Sequence, residues 1–516
     1  MKIANLLHFY QPYNQQIDIL DRIVNECYRP VIKGLLEKPN RKIVVNISGV
    51  LTKLLHENGY SDVIEGLVEL AVNKQIEFTS SAMYHAFLPL LPESEIERQI
   101  LINNETNSKY FGKFYSPTGF FSPEMAVNSK VLHIVSKMGY KWIAVSESAD
   151  MGEHCSKLYK DKINDITVFF RNKRVSSLTL SSVVRDVGGL ELETRDLNYC
   201  AYFFTVMDAE TFGHHRIGHE KMLFGMLDSE FYEPCLVQDL MKLELPVEEV
   251  SVRPSTWTNE EQDFWLDKER TNYTEARSFS LWNDPKNPIH ELQWKFINMC
   301  LDEISSFKGK KASNWIKARN ILDYALSSDQ FWWASAKPWW SLEMVEQGAF
   351  EMKNVITVLY KIGSGSDPCL RRQVDPILKA DNLYRKILDQ AFEWQRTGYI
   401  RKKHLENSST YMKEPFKERA PREWYNQMVL EFEDEMNKAS EKKDFEKAIK
   451  WRDALIKLRN GNDIYDVLHV VDELWSARNI PSVRPFLQHK PDEISDFARE
   501  FLQRSDPGRI PACAGR

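Results

Sequence analysis

The sequence predicts an α/β barrel followed by a layer of helices, and three observations carry that prediction. Up to about residue 300, short apolar runs alternate with longer amphipathic stretches. Beyond that point the short runs stop and helical periodicity takes over. Two of the apolar runs end on carboxylates, in Ser122-Pro123-Glu124 and in Asp208-Ala209-Glu210. An apolar run of four to eight residues reads as a buried strand. Alternation of such runs with helices implies a parallel sheet, here closed into a barrel. Carboxylates at the carboxyl ends of barrel strands stand where such folds keep their chemistry.

The strand candidates, in order, are 3–8, 42–47, 75–79, 118–121, 141–145, 167–171, 202–207 and 248–252. Amphipathic stretches at 61–73, 94–111 and 128–138 supply crossover helices. Further helices are expected at 289–306, 311–328, 340–363, 375–395, 422–442 and 444–460. The Gly- and Ser-rich stretch 363–368 reads as an exposed turn. The charged stretch 396–422, with Pro415 and Pro421, reads as a linker. The chain thus divides into a catalytic barrel over 1–300, a helical domain over 301–400 that completes the site, and a helical hairpin over 422–475. Residues 505–516 lack periodicity and are expected to be a disordered tail.

Composition narrows the function classes. A net charge of −6 gives no general electrostatic case for nucleic-acid or membrane binding. No run reaches the ~18 apolar residues of a membrane span. The start, Lys2 to His8, lacks the charged, apolar and cleavage regions of a signal peptide. Seven scattered cysteines without a CxxC argue against a disulfide framework and against a thiolate zinc site. The expectation is a cytoplasmic protein without cofactor or metal.

Two carboxylates at strand ends are what glycoside hydrolysis needs, one as acid and one as nucleophile or base. Capping of the following elements is the structural alternative for either Glu124 or Asp208 alone. His8 ends the first strand and could hydrogen-bond a sugar hydroxyl. Asp329 could grip a pair of hydroxyls, with Trp332 or Trp333 as a stacking face. The cluster of Phe331, Trp332, Trp333, Trp339 and Trp340 could equally form an apolar seam between helices and barrel.

Five segments in order resemble the motifs of glycoside hydrolase family 57, which acts mainly on α-glucans. They are His8-Phe9-Tyr10-Gln11-Pro12, then Ile76-Glu77-Phe78-Thr79 with Tyr84-His85-Ala86-Phe87-Leu88-Pro89, then Gly119-Phe120-Phe121-Ser122-Pro123-Glu124-Met125-Ala126, then Met207-Asp208-Ala209-Glu210-Thr211-Phe212-Gly213, and Ser327-Ser328-Asp329-Gln330-Phe331-Trp332-Trp333. The resemblance covers roughly residues 1–360. It implies a distorted (β/α)7 barrel followed by an α-helical domain. It also implies retention of anomeric configuration, with Glu124 as nucleophile and Asp208 as acid/base. His8, Glu77, His85, Asp329 and Trp332 are the substrate-binding residues it suggests. The substrate class would be an α-glucan oligo- or polysaccharide, with α-amylase-like hydrolysis ahead of 4-α-glucanotransfer or branching. The chain departs from the pattern at Tyr10, where many members carry a second His.

Outside that class stand a metal-dependent carbohydrate deacetylase or mannosidase-like enzyme and a non-catalytic glycan-binding scaffold. The first would need an Asp/His ligand set, and His8-Phe9-Tyr10 lacks the Asp that a mannosidase-like site would use. A second, shorter resemblance covers 432–459, including Asp444-Phe445-Glu446-Lys447-Ala448 and Trp451-Arg452-Asp453-Ala454. It is similar to the UVR-type hairpin of nucleotide-excision repair proteins, a protein–protein module. An ordinary charged helical hairpin fits these residues as well. The resemblance implies a docking or self-association surface within 422–475.

Overall fold

The computed structural model describes residues 1–150, 152, 154–180, 186–258, 278–307, 312–336, 339–360, 371–405 and 422–459. The turn expected at 363–368, most of the 396–422 linker, Cys369, Cys513 and the 505–516 tail lie outside the described residues.

Among the described residues, ten strands form one sheet: β1 Lys2–Phe9, β2 Ile43–Ile47, β3 Ile76–Ser80, β4 Gly119–Phe121, β5 Trp142–Val145, β6 Leu158–Asp161, β7 Thr167–Phe170, β8 Tyr202–Asp208, β9 Glu233–Pro234 and β10 Val247–Val250. The order β7-β5-β4-β3-β2-β1-β8 is parallel at every step. The backbone N–H of Asn172, just past β7, donates to Phe204 C=O of β8 at 2.7 Å and ties the two outer strands. These seven strands therefore curl into a distorted (β/α)7 barrel. β6, antiparallel to β7, and β10 extend the sheet outside it. The expected strands were eight; β6, Leu-Tyr-Lys-Asp, is too polar and the two-residue β9 too short to register as apolar runs.

The barrel interior follows the two-residue period of strands. Ala4, Leu6, Val44, Phe121, Trp142, Ala144, Phe169, Tyr202, Phe204 and Val206 fill it. Val237 and Leu240, from the turn of helix after β9, close its amino-terminal end. Gly119 admits the ring of Trp142, which lies 2.0 Å from where a Cβ would stand, so any side chain there would overpack the barrel.

Crossover helices α1 Arg29–Leu36, α2 Gly49–Glu57, α3 Ser61–Val72, α4 Glu93–Phe111 and α5 Ser129–Lys137 cover the outer face. Helices α6 Pro288–Ser306, α7 Ser313–Ala325, α8 Leu342–Leu359 and α9 Arg371–Thr397 form the second layer. α6 runs through the 300/301 division expected from sequence. One apolar cluster includes Phe120, Val131, Ile143 and Val168 of the barrel region together with Phe296, Ile297, Leu322, Met352 and Ile387 of the helices. A last pair, α10 Arg422–Glu441 and α11 Phe445–Arg459, packs Met428 and Phe432 with Trp451, Ala454, Leu455 and Leu458 between them, and leaves Leu430, Phe445, Ile449 and Ile456 exposed.

The cysteine reading needs a correction. Cys155 and Cys200 form a disulfide that joins the loop before β6 to the entry of β8, where Cys155 C=O also accepts the N–H groups of Ala201 and Tyr202. A separation of 45 residues gave no local signal of this. Such a bond runs against the reducing compartment expected from sequence. No helix among the described residues is long and apolar enough to cross a membrane.

Candidate active site

The parallel register sets one polar layer at the carboxyl-terminal mouth of the barrel. Asp208 of β8 stands beside His8 of β1, His8 beside Asn46 of β2, and Asn46 beside Thr79 of β3. All four share the inward parity of the apolar residues below them. Phe121 of β4 completes the layer and stacks on the His8 ring at 4.7 Å.

Glu124 enters from the turn after β4. Pro123 starts the turn, Met125 N–H donates back to Ser122 C=O at 2.8 Å, and Ser122 Oγ donates to Ala126 C=O at 2.6 Å. The closure forces left-handed backbone on two consecutive side-chain-bearing residues, Glu124 at φ 58° and Met125 at φ 47°. His85 is likewise left-handed at φ 55°. Non-glycine residues rarely adopt this region and cluster at functional sites when they do.

The buried Glu124 carboxyl is held by two neutral donors. Trp257 Nε1–H donates to Oε2 at 2.8 Å, and Ser328 Oγ stands 3.4 Å from Oε1. Trp257 comes from the segment after β10, which pairs with the Glu124 turn through Val127 and Ser255, while Trp257 N–H donates to Glu124 C=O. Arg171, at the end of β7, donates to Trp257 C=O and makes a two-pronged buried pair with Glu147 at 2.8 and 2.9 Å.

Asp208 is only partly buried, and among the described residues its carboxyl takes no hydrogen bond. Burial pushes Asp208 up to about 6, against the pull of the Arg171 cation. Burial pushes Glu124 up to about 8, helped by the charges of Asp329 and Asp208 and opposed by Trp257 and Ser328. Burial thus raises both members of the pair, and their titrations are coupled through charge.

Tyr10, the departure from the family pattern, has a specific partner. Its hydroxyl donates to Asp329 Oδ2 at 2.5 Å, and its ring stacks on His85 at 4.0 Å. Ser327 donates to the same Asp329 oxygen at 2.7 Å. Asp329 reaches the barrel because the helical layer docks on the His85 loop, with Ala86 bridging Ser327 and Ser328 N–H donating to His85 C=O. Glu210, in the turn after β8, is buried against Tyr28 and Gln11, so the first and fourth motifs meet there. Gly213 lets that turn pass the chain at Glu26, whose carbonyl oxygen lies 1.9 Å from where a Cβ would be.

The sequence-predicted residues divide clearly. His8, His85, Glu124, Asp208 and Asp329 come together. Glu77 does not. It lies two residues below Thr79 on β3, toward the amino-terminal end, and its Oε2 accepts the N–H of Gln238 in the plugging helix. Trp332 packs on Trp282 at 5.4 Å and Trp339 at 5.8 Å, in the aromatic seam. His8 and His85 have every ring nitrogen engaged by protein. His8 Nδ1 meets Asn46 Oδ1 at 2.7 Å, the two Nε2 atoms meet at 3.1 Å, and His85 Nδ1 meets Ser328 Oγ at 2.9 Å. Neither ring has a nitrogen left for a sugar hydroxyl. Asn46, Thr79, Ser328, Trp257 and Arg171 were missed. An Asn inside the otherwise apolar Ile43–Ile47 strand was the one available signal.

Comparisons with known proteins bear on the family and the fold. Residues 4–253 match the Glycosyl hydrolase family 57 model, and residues 427–461 match the UvrB/uvrC motif. Alpha-amylase 1 of Dictyoglomus thermophilum is 26% identical over 142 residues, 28% of this chain and 20% of the relative. The chain thus aligns with about a fifth of that relative's length. The solved 4-alpha-glucanotransferase of Thermococcus litoralis shares the fold with a TM-score of 0.56 at 17% identity, over 71% of this chain and 61% of that one. A GH57-type branching enzyme from Pyrococcus horikoshii does so with a TM-score of 0.55 at 16% identity, over 76% and 96%. Residues 4–253 are therefore similar to glycosyl hydrolase family 57, and residues 427–461 to the UvrB/uvrC motif.

Proposed function

We propose that the chain is a retaining α-glucan-active enzyme that works through a glycosyl-enzyme on Glu124, with Asp208 as acid/base. The observation that carries this reading is the contrast between two electrostatically coupled carboxyls at the barrel mouth. Glu124 is clamped by Trp257 and Ser328 on strained backbone, whereas Asp208 is partly open and unbonded among the described residues. A nucleophile needs a fixed direction of attack. A group that passes a proton to a leaving oxygen, and later takes one back, needs access and freedom.

In the first step a Glu124 oxygen attacks the anomeric carbon while Asp208 protonates the departing glycosidic oxygen. The bond to that oxygen breaks, and Glu124 becomes an ester. Esterification removes its charge, so Asp208, now ionised, can deprotonate the incoming hydroxyl. Retention by this route requires the carboxyls to work across ~5–5.5 Å. Asp329 presents Oδ1, unbonded among the described residues, to a sugar hydroxyl, with Tyr10 and Ser327 holding its other oxygen. The α-glucan class is supported by the relatives, an α-amylase, a 4-α-glucanotransferase and a branching enzyme.

The test is incubation of the full chain, and of Glu124→Gln, with maltoheptaose, with products resolved by chromatography. Shorter oligomers with new reducing ends, absent with the variant, are the hydrolytic outcome. Longer products beside shorter ones place the enzyme among the transferases. An unchanged substrate with both proteins removes linear maltodextrin, and an inverted anomer in an NMR time course removes the glycosyl-enzyme.

A further inference from the structure

The contacts that occupy His8 and His85 form an unbroken series. Thr79 Oγ1 meets Asn46 Nδ2 at 2.8 Å, Asn46 Oδ1 meets His8 Nδ1, His8 Nε2 meets His85 Nε2, His85 Nδ1 meets Ser328 Oγ, and Ser328 Oγ meets Glu124 Oε1. Burial drives the His8 imidazole down to about 4 and that of His85 well below its usual range, so both rings are neutral at ordinary pH. A neutral imidazole has one donor and one acceptor nitrogen. A series of such rings has a direction, and choosing the donor at one link fixes all the others.

Two arrangements satisfy every link. In the first, Asn46 donates to Thr79, His8 Nδ1–H to Asn46 Oδ1, His85 Nε2–H to His8, and Ser328 O–H to His85 Nδ1. Ser328 Oγ is then left to accept, so Glu124 must carry a proton on Oε1. In the second, the amide of Asn46 is turned over and Thr79 donates to it. His8 Nε2–H then donates to His85, His85 Nδ1–H to Ser328, and Ser328 O–H to an ionised Glu124. The arrangements differ by one proton, given up to solvent, and each ring exchanges which nitrogen bears its hydrogen. Trp257 cannot take part, because an indole N–H only donates and serves Oε2 in both states.

We propose that Thr79, Asn46, His8, His85 and Ser328 are positioning residues that form a reversible hydrogen-bond chain, whose direction and the ionisation of Glu124 determine each other. The other groups facing this chain do not complete a link of it. Asp329 and Asp208 act on Glu124 through charge, Tyr10 covers the His85 ring while donating to Asp329, and Phe121 and Trp257 flank His8 by ring contact. The consequence is that Asn46, on β2 and four links away from Glu124, sets the readiness of the nucleophile. Asn46→Asp offers only acceptors to His8 Nδ1, which pins the first arrangement and favours protonated Glu124.

The inference rests on Glu124 being the group that ionises, and its first readout needs no substrate, so it can fail separately from the glucan reading. In the full chain labelled with ¹⁵N-histidine, NMR across the pH range should show His8 passing from the Nδ1–H to the Nε2–H form and His85 from Nε2–H to Nδ1–H, with one shared midpoint. Ser328→Ala should abolish that passage, and Asn46→Asp should shift the kcat/KM profile toward higher pH by about half a pH unit or more. Rings that keep one hydrogen position throughout the wild-type titration overturn the proposal, even if neither variant folds. So does an Asn46→Asp profile that superimposes on the wild type.

Discussion

The barrel carries a buried carboxyl near each end, and the two differ instructively. Glu77 sits low on β3, raised to about 7 by burial, with one oxygen on the Gln238 N–H and the other without a partner among the described residues. Glu124 sits at the opposite mouth, raised to about 8 by the same cause. What separates them is their surroundings. Glu77 lies on regular strand and meets a helix that plugs the barrel. Glu124 lies on left-handed backbone, between a fixed indole donor and a hydroxyl that can reverse. A displaced proton affinity therefore does not by itself identify chemistry. Position at the carboxyl ends of the strands, together with strain and directed donors, does.

The largest expected effect breaks this comparison outright. Glu124→Gln should lower kcat/KM on maltoheptaose by about 10⁴-fold or more, the scale for removing a nucleophile. Glu77→Gln should leave it within a few-fold. The signature of Glu77 belongs to stability. Its proton is bound more tightly in the folded state, so stability falls as pH rises from about 4.5 to about 7. Glu77→Gln should flatten that part of a plot of Tm against pH, and a slope unchanged by the substitution would return Glu77 to an ordinary environment.

A smaller effect sharpens the upper end of the comparison. Below about 6 both Asp208 and Glu124 are protonated, and above about 8 neither is. The productive pair holds one proton, so kcat/KM should follow a bell with limbs near those values, which belong to the pair. A profile with only one limb between pH 4 and 10 would contradict the coupling.

The smallest effect on activity is expected at the Cys155–Cys200 disulfide, at the entry of β8 and thus at the end of that strand opposite Asp208. Cys200→Ser should cost about 2–4 kcal/mol in denaturant unfolding while kcat stays within a few-fold. A large loss of kcat would mean that the position of Asp208 depends on how β8 is anchored at its start.

Much of this was legible in the sequence, for identifiable reasons. The seven barrel strands are apolar because both of their faces are buried, so composition alone marks them. Glu124, Asp208 and His8 end such runs and were found with them. Glu77 was named from the resemblance alone; its parity puts it inside the barrel with Thr79 but says nothing of height along the axis. Trp257 was missed because it bonds Glu124 across 133 residues, and Ser328 because it meets His85 across 243. Such pairings are created by docking one layer on another, and no local pattern encodes them. The disulfide escaped for the same reason.

The apolar cluster shared by barrel and helices has a consequence for anyone wishing to trim or recombine this chain. The span that matches the family, 4–253, stops short of Ser328, Asp329 and Trp257, and also of α6 to α9, whose side chains complete the packing around Phe120, Ile143 and Val168. A fragment cut at that border would expose a greasy flank to water while losing the indole and hydroxyl that grip Glu124. The smallest portable module is therefore larger than its sequence signature, and graft points belong beyond Thr397.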